Sequence, residues 1–112
     1  MPAKELMAAS TRPLLLALLA EGDSYGYALI QRVKEVSGGA LEWSEGMLYP
    51  VLHRLEDEKL IVAEWREAES GRKRKYYHLT KSGKLRAKAE RTEWLSVHNT
   101  LARLWELAPA AT

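Results

Sequence analysis

At Leu60 the apolar pattern of this chain changes its period. Just before it, Ser44 to Glu56 reads S-E-G-M-L-Y-P-V-L-H-R-L-E, with Leu48, Leu52 and Leu55 at i, i+4 and i+7 and Val51 beside them. That spacing is one face of a helix. From Leu60 to Glu67 the residues are β-branched and aromatic, Ala68-Glu69-Ser70-Gly71 reads as a turn, and Arg74 to Thr80 carries Tyr76-Tyr77. Two such runs around a Gly-containing loop make a β-hairpin. The chain must therefore place a helix directly before a hairpin.

The flanking segments are helical. Thr11-Arg12-Pro13 reads as a helix start that Ser10 or Thr11 can cap, with Pro13 tolerated in the first turn, and Leu14, Leu15, Leu16, Leu18 and Leu19 continue it. Lys4 to Ala9 is expected as a short extra helical arm. Gly22 reads as a stop and Ser24 as the cap of a second helix, about Tyr25 to Val36, with Leu29, Ile30, Val33 and Val36 as its stripe. Gly38-Gly39 breaks the chain, and alternation of Leu41 and Trp43 around Glu42 predicts a very short strand over Ala40 to Trp43. The third helix runs from Ser44 to Lys59. Beyond the hairpin, Thr80, Ser82 and Gly83 lead into a last helix over Lys81 to Leu107. The expected fold class is mainly α with a small β-hairpin. A winged helix-turn-helix unit with its N-terminal arm covers 1–79, and a long C-terminal dimerisation helix with a short tail covers 80–112.

Charge is sorted along the chain. Its 17 basic and 15 acidic residues give a net charge of +2. Yet Arg72 to Arg91 holds nine basic residues against the single acid Glu90. Such asymmetry points to a polyanionic partner, with a solvated basic face as the alternative. The 112 residues contain no cysteine, which excludes a disulfide framework and a thiolate metal site. The longest apolar run, Pro13 to Ala20, is too short to span a bilayer. We expect a cytoplasmic protein with no membrane association. His53, His78 and His98 fall in three separate elements and the acids Glu56, Asp57 and Glu58 are consecutive, so no catalytic constellation emerges. No enzyme activity, cofactor or metal is expected.

Three helices followed by a hairpin is the order in which the third helix enters a DNA major groove and the hairpin tip reaches the flanking backbone or minor groove. The tip, Ser70-Gly71-Arg72-Lys73-Arg74-Lys75, carries four consecutive cations. Like charges there repel, and a phosphate backbone supplies the reason to concentrate them. On the third helix the outward positions are Glu45, Gly46, Met47, Tyr49, Pro50, His53, Arg54 and Asp57. Tyr49 is placed to bond a phosphate, or instead to close the core, and His53 and Arg54 to reach a base edge or phosphate. The candidate DNA-binding residues are Met47, Tyr49, Pro50, His53, Arg54, Arg72, Lys73, Arg74, Lys75 and Tyr76.

Three stretches carry a resemblance to a known family: Gly46-Met47-Leu48-Tyr49-Pro50-Val51-Leu52-His53-Arg54-Leu55-Glu56, Gly71 to Thr80, and Leu18-Leu19-Ala20-Glu21-Gly22 with Gly26-Tyr27. The chain resembles the PadR family of bacterial transcriptional regulators. The resemblance implies a dimeric winged-helix repressor that blocks a promoter until an effector binds, with Tyr49 and the basic wing residues on DNA. It departs from the family at Met47, where a small hydroxyl residue is more usual. With one helix after the wing, the chain looks like the short branch, some of whose members sense flat hydrophobic compounds.

The last helix carries Trp94, Val97, Leu101, Leu104 and Ala108 at intervals of 3, 4, 3 and 4, a coiled-coil seam, with His98 and Trp105 on one flank. These seven residues form the candidate dimer interface. By resemblance, Trp94 is the tryptophan that faces its twin across a pore, where paired indoles sandwich a planar aromatic or small hydrophobic ligand. Leu6, Met7, Trp94 and Val97 form the candidate effector pocket, and ordinary packing of Trp94 in a closed dimer core is the alternative. The expected partners are double-stranded operator DNA, a second copy of the chain and this ligand. The runner-up function is a winged-helix protein–protein interaction module without specific DNA binding.

Overall fold

The computed structural model describes residues 2–107. In chain order the elements are α1 (Lys4–Glu21), β1 (Ser24–Tyr25), α2 (Gly26–Val36), α3 (Glu45–Asp57), β2 (Ile61–Glu67), β3 (Lys73–Leu79) and α4 (Lys81–Leu107). The strands form one antiparallel sheet in the order β1-β3-β2. This is a winged helix followed by a long terminal helix.

α1 is a single helix with Pro13 inside it, not a short arm followed by a second helix that starts at Thr11-Arg12-Pro13. Pro13 cannot donate to the Ala9 carbonyl. Tertiary burial outweighs that loss. Met7 and Thr11 are both 2% exposed on the core side of α1, so the N-terminal half is docked as firmly as the leucines after it. The Thr11 hydroxyl meets its buried surroundings by donating to the Met7 carbonyl at 2.7 Å.

The third strand also differs from expectation. Ala40 to Trp43 has no regular structure, although Trp43 is buried and Leu41 half-buried, as alternation requires. The sheet's third strand is instead Ser24–Tyr25, paired with Tyr77 and Tyr76. Ser24 therefore does not cap α2, whose N-cap is Tyr25 without a side-chain bond. Two residues carry too short a pattern to announce a strand, and only β3's free edge makes them one.

The core brings together Leu15, Leu16 and Leu19 of α1, Leu29 and Val33 of α2, Leu48, Leu52 and Leu55 of α3, and Ile61, Tyr77 and Leu79 of the sheet. Burial pushes the Tyr77 phenol up to about 12, with Glu56 and Tyr49 adding to it, so this tyrosine stays protonated. α3 ends in a Schellman motif: Leu60 N–H donates to the Leu55 carbonyl at 3.0 Å and Lys59 N–H to that of Glu56 at 2.9 Å. Lys59 takes the left-handed conformation, φ 64°, that this motif needs.

α4 is rooted in that same junction. The Leu60 carbonyl accepts from Thr80 N–H at 3.0 Å, and the Thr80 hydroxyl, bonded to the Lys59 carbonyl at 2.8 Å, accepts from Gly83 N–H at 3.0 Å as an N-cap. Gly83 lies so close to the Leu60 carbonyl oxygen that an added Cβ would collide with backbone. From this root α4 runs for about 40 Å, and Gly83 is its one buried residue. The radius of gyration, 16.3 Å, exceeds the roughly 13 Å of a compact chain of this length.

Gly83→Ala tests this root. Alanine is the better helix former by about 1 kcal/mol, yet the collision is with backbone that cannot step aside. A net loss of about 2 kcal/mol is expected in urea unfolding.

Candidate nucleic-acid interface

Ser44 starts α3 by accepting at its hydroxyl from Met47 N–H, 3.3 Å away. Leu48, Leu52 and Leu55 are buried, with Val51 packed against them, which leaves Glu45, Gly46, Pro50, His53, Arg54 and Asp57 exposed. Pro50 is the sixth residue of α3, past the first turn, so the Gly46 carbonyl has no helical donor. An added Cβ on Gly46 would make only an ordinary contact with the Ser44 hydroxyl. Nothing inside the chain requires that glycine, and its bare backbone faces outward.

Two expected outward residues are placed differently. Met47 is half-buried and packs against the core, because its flexible apolar side chain gains more by lying on the leucines than by standing in water. Tyr49 also packs against the core. Its ring lies against Gly26 at the start of α2, where a Cβ would collide with the phenol. The hydroxyl thus lies at the α2 N-terminus, beside backbone N–H groups that carry partial positive charge. His53 follows one turn later, its ring 6.5 Å from that of Tyr49.

The basic tip is divided by the strand register. Its turn is Ala68 to Arg72, closed by Ala68 N–H donating to the Arg72 carbonyl and Gly71 N–H to the Ala68 carbonyl, both 2.8 Å. Lys73 and Lys75 fall on the sheet face that carries Tyr77 and Leu79, and the Lys75 ammonium lies 5.6 Å from the Tyr77 ring. Arg74 and Tyr76 fall on the opposite face. There the Arg74 guanidinium donates to the Tyr25 hydroxyl at 2.9 Å and lies over its ring. Tyr76 meets Tyr25 edge to face and lies under Arg66. The run of four cations is thus not one cluster, because alternate strand residues point to opposite faces.

Arg66 also donates to Asp23 and Glu64, each at 2.6 Å, tying the outer part of the hairpin to the α1–β1 turn. Asp23, Glu64 and His78 offer ligand atoms within 4.8 Å of one another, but the guanidinium engages both carboxylates and takes the place of a cation there.

A second tie joins three helices. Arg12 of α1 donates to Glu58, just past α3, at 2.5 and 3.1 Å, and to Glu90 of α4 at 3.1 and 3.3 Å. The partners lie 46 and 78 residues apart in the chain, so no local pattern reveals them. The hydrogen bond from Arg12 holds the Glu58 carboxyl below its ordinary value of 4.5.

On α4, Trp94, Val97, His98, Leu101, Leu104 and Trp105 are all exposed; Ala108 lies outside the described residues. A cleft of about 1330 Å³ between α1 and α4 is lined by Leu6, Leu14, Ala17, Trp94, Leu95 and His98, among others. Of the four residues expected to form an effector pocket, Leu6 and Trp94 line it. Met7 does not, because it points into the core, and Val97 lies off its wall.

A winged helix with cations on both its third helix and its hairpin defines a class, the winged-helix transcriptional regulators. Residues 15–89 match the model of the transcriptional regulator PadR-like family. The chain is 37% identical over 81 residues to the transcriptional regulator Rv3488 of Mycobacterium tuberculosis, covering 72% of each. Among solved structures it is similar to a PadR-like transcriptional regulator from Bacillus cereus (28% identity, TM-score 0.80, 91% of this chain and 97% of that one). It is similar also to a transcriptional regulator from Clostridium thermocellum (25%, TM-score 0.80, 92% and 97%). The chain belongs to the PadR-like family of transcriptional regulators, and no helix among the described residues is long and apolar enough to cross a membrane.

The Arg12 tie has a pH signature. A carboxyl held below its ordinary value adds stability that is complete above that value and lost as the pH falls through the folded-state one. The unfolding free energy of the wild-type protein is therefore expected to fall between about pH 5 and pH 3 more steeply than that of Glu58→Gln, as urea titrations across that window would show.

Proposed function

We propose that the chain is a homodimeric DNA-binding repressor, released from its operator by a small planar hydrophobic compound at the dimer interface. The observation that carries the dimer is α4, which buries one residue, Gly83, and leaves Trp94, Val97, Leu101, Leu104 and Trp105 exposed. Contiguous apolar surface of this kind marks an interface. The winged domain cannot cover it, since the far half of the helix extends beyond that domain. A second copy offers the same stripe, and two-fold pairing makes one surface serve both partners.

On DNA, the exposed ridge of Pro50, His53 and Arg54 enters the major groove while Arg72, Lys73 and Lys75 meet phosphates beside it. Tyr49 adds its hydroxyl at the start of α2. Met47 supports α3 from beneath, and Arg74 and Tyr76 brace the wing against Tyr25. Two copies then engage successive major grooves about 34 Å apart.

The cleft between α1 and α4, closed by the second copy, is the site we assign to the effector. Leu6 and Trp94 provide apolar walls and His98 a polar group, the mixture that holds flat hydrophobic ligands. A compound wedged there shifts α4 against its twin. The Thr80 cap and the Arg12 tie carry that shift to α3, so the spacing of the two reading helices changes.

Fluorescence anisotropy with the DNA upstream of its own gene, against a scrambled duplex, tests the reading. Preference for the upstream duplex is expected, with log affinity falling linearly against log salt by about 0.9 per phosphate contact. Absence of binding to both duplexes at low salt would favour the interaction-module alternative. Leu101→Glu is expected to lower the sedimented mass from about twice to about once 12.7 kDa.

A further inference from the structure

The wing carries an exposed indole that the fold does not use. Trp65 is 67% exposed near the middle of the hairpin. Along β2 the side chains alternate, so Trp65 shares a face with Ile61, which is buried, and Ala63, which packs against the core. That face receives the helices, and α3 packs against β2. Trp65 therefore stands where the same face has run past the edge of the core, on the α3 side of the sheet.

Its surroundings select the occupant. Across the ladder Trp65 pairs with Lys75, and Glu67 pairs with Lys73. Glu67 is the acid on this face and lies opposite one lysine, which leaves Lys75 and the turn's Arg72 as surplus cations. Among the described residues neither forms an ion pair. The opposite face behaves differently, since its Arg66 is matched by Asp23 and Glu64. A protein partner docking on the indole needs contiguous apolar surface, and toward the tip the indole is flanked by the charged Glu67, Lys73 and Lys75. A nucleic acid fits both properties, with phosphates for the cations and the hydrophobic faces of sugars and bases for the ring.

We propose that Trp65 is a DNA-contacting residue of the wing. Its indole lies against the sugars lining the minor groove beside the major groove that α3 occupies, between the phosphates held by Arg72 and Lys75. Minor-groove binders likewise bring apolar side chains into that groove, where many wedge between base steps. The inference rests on the DNA-binding reading above and adds to it a contact that carries no charge. Basic residues give the wing an affinity that salt erodes, whereas the indole gives it a part that salt leaves intact.

The absence of charge supplies the test. Anisotropy titrations of the upstream duplex over a series of salt concentrations compare the wild-type dimer with Trp65→Thr, which keeps strand propensity, and with Arg72→Ala. Trp65→Thr is expected to weaken binding about tenfold at every salt concentration with the log–log slope unchanged, while Arg72→Ala lowers that slope by about two units for a dimer. A second readout is independent of any loss of hairpin stability. DNA is expected to quench part of the emission of the four tryptophans, and Trp65→Phe, which keeps a ring at that position, is expected to abolish that part. If Trp65→Thr binds as the wild type does, or the quenching survives in Trp65→Phe, the inference falls and the DNA-binding reading stands. If Trp65→Thr leaves DNA affinity intact and instead halves the sedimented mass, the indole belongs to the contact between copies. If the wild-type protein binds no DNA at low salt, both readings fall together.

Discussion

One backbone carbonyl holds the architecture together. The Leu60 oxygen takes the Thr80 amide, touches the bare backbone of Gly83, and sits one residue past the left-handed turn that ends α3. At that point the third helix, the hairpin and the terminal helix share a few atoms of main chain. Main-chain hydrogen bonds of this kind lack the freedom of side chains, so the angle between α3 and α4 is set by geometry that no rotamer change relaxes. Arg12 adds a second, softer constraint. Its partners Glu58 and Glu90 are partly exposed, and ion pairs in such settings contribute up to about 1 kcal/mol. The junction is therefore stiff at its centre and adjustable at its rim.

Much of this was legible in the residues. The change of period at Leu60, the turn at Ala68 to Gly71 and the leucine face of α3 each survive in the fold, because local pattern and tertiary environment agree there. The winged helix-turn-helix order follows from those elements alone. What the sequence concealed was non-local. Pro13 argued for a helix start, and only the burial of Met7 and Thr11 shows why the helix passes through it. Ser24–Tyr25 became a strand through the free edge of a partner more than 50 residues later, at Tyr76 and Tyr77. The ion pairs of Arg12 and Arg66 join residues with no periodic relation.

The candidate site was legible as a region more than as a set of contacts. Helix periodicity assigns Met47 and Tyr49 to the outer half of α3, but a side chain at the boundary turns to whichever surface rewards it. Met47 turned to the leucines and Tyr49 to Gly26. The basic run Arg72 to Lys75 suggested one patch, while the two-residue repeat of a strand divides it between faces. That repeat, once the register is fixed at Trp65 and Lys75, also singles out the indole that the charge count overlooked.

Gly83 fixes more than the position of α4, since it fixes the helix's rotational phase at the root. Each residue inserted or deleted beyond it would turn the stripe of Trp94, Leu101 and Trp105 by about 100° relative to the winged domain. Seven residues, close to two full turns, would restore the facing to within about 20°. Length variation between Gly83 and the stripe is therefore quantised: relatives that differ in that part of α4 should differ by near-heptad steps, whereas the loop at Gly38-Gly39, which sets no phase, is free to vary one residue at a time.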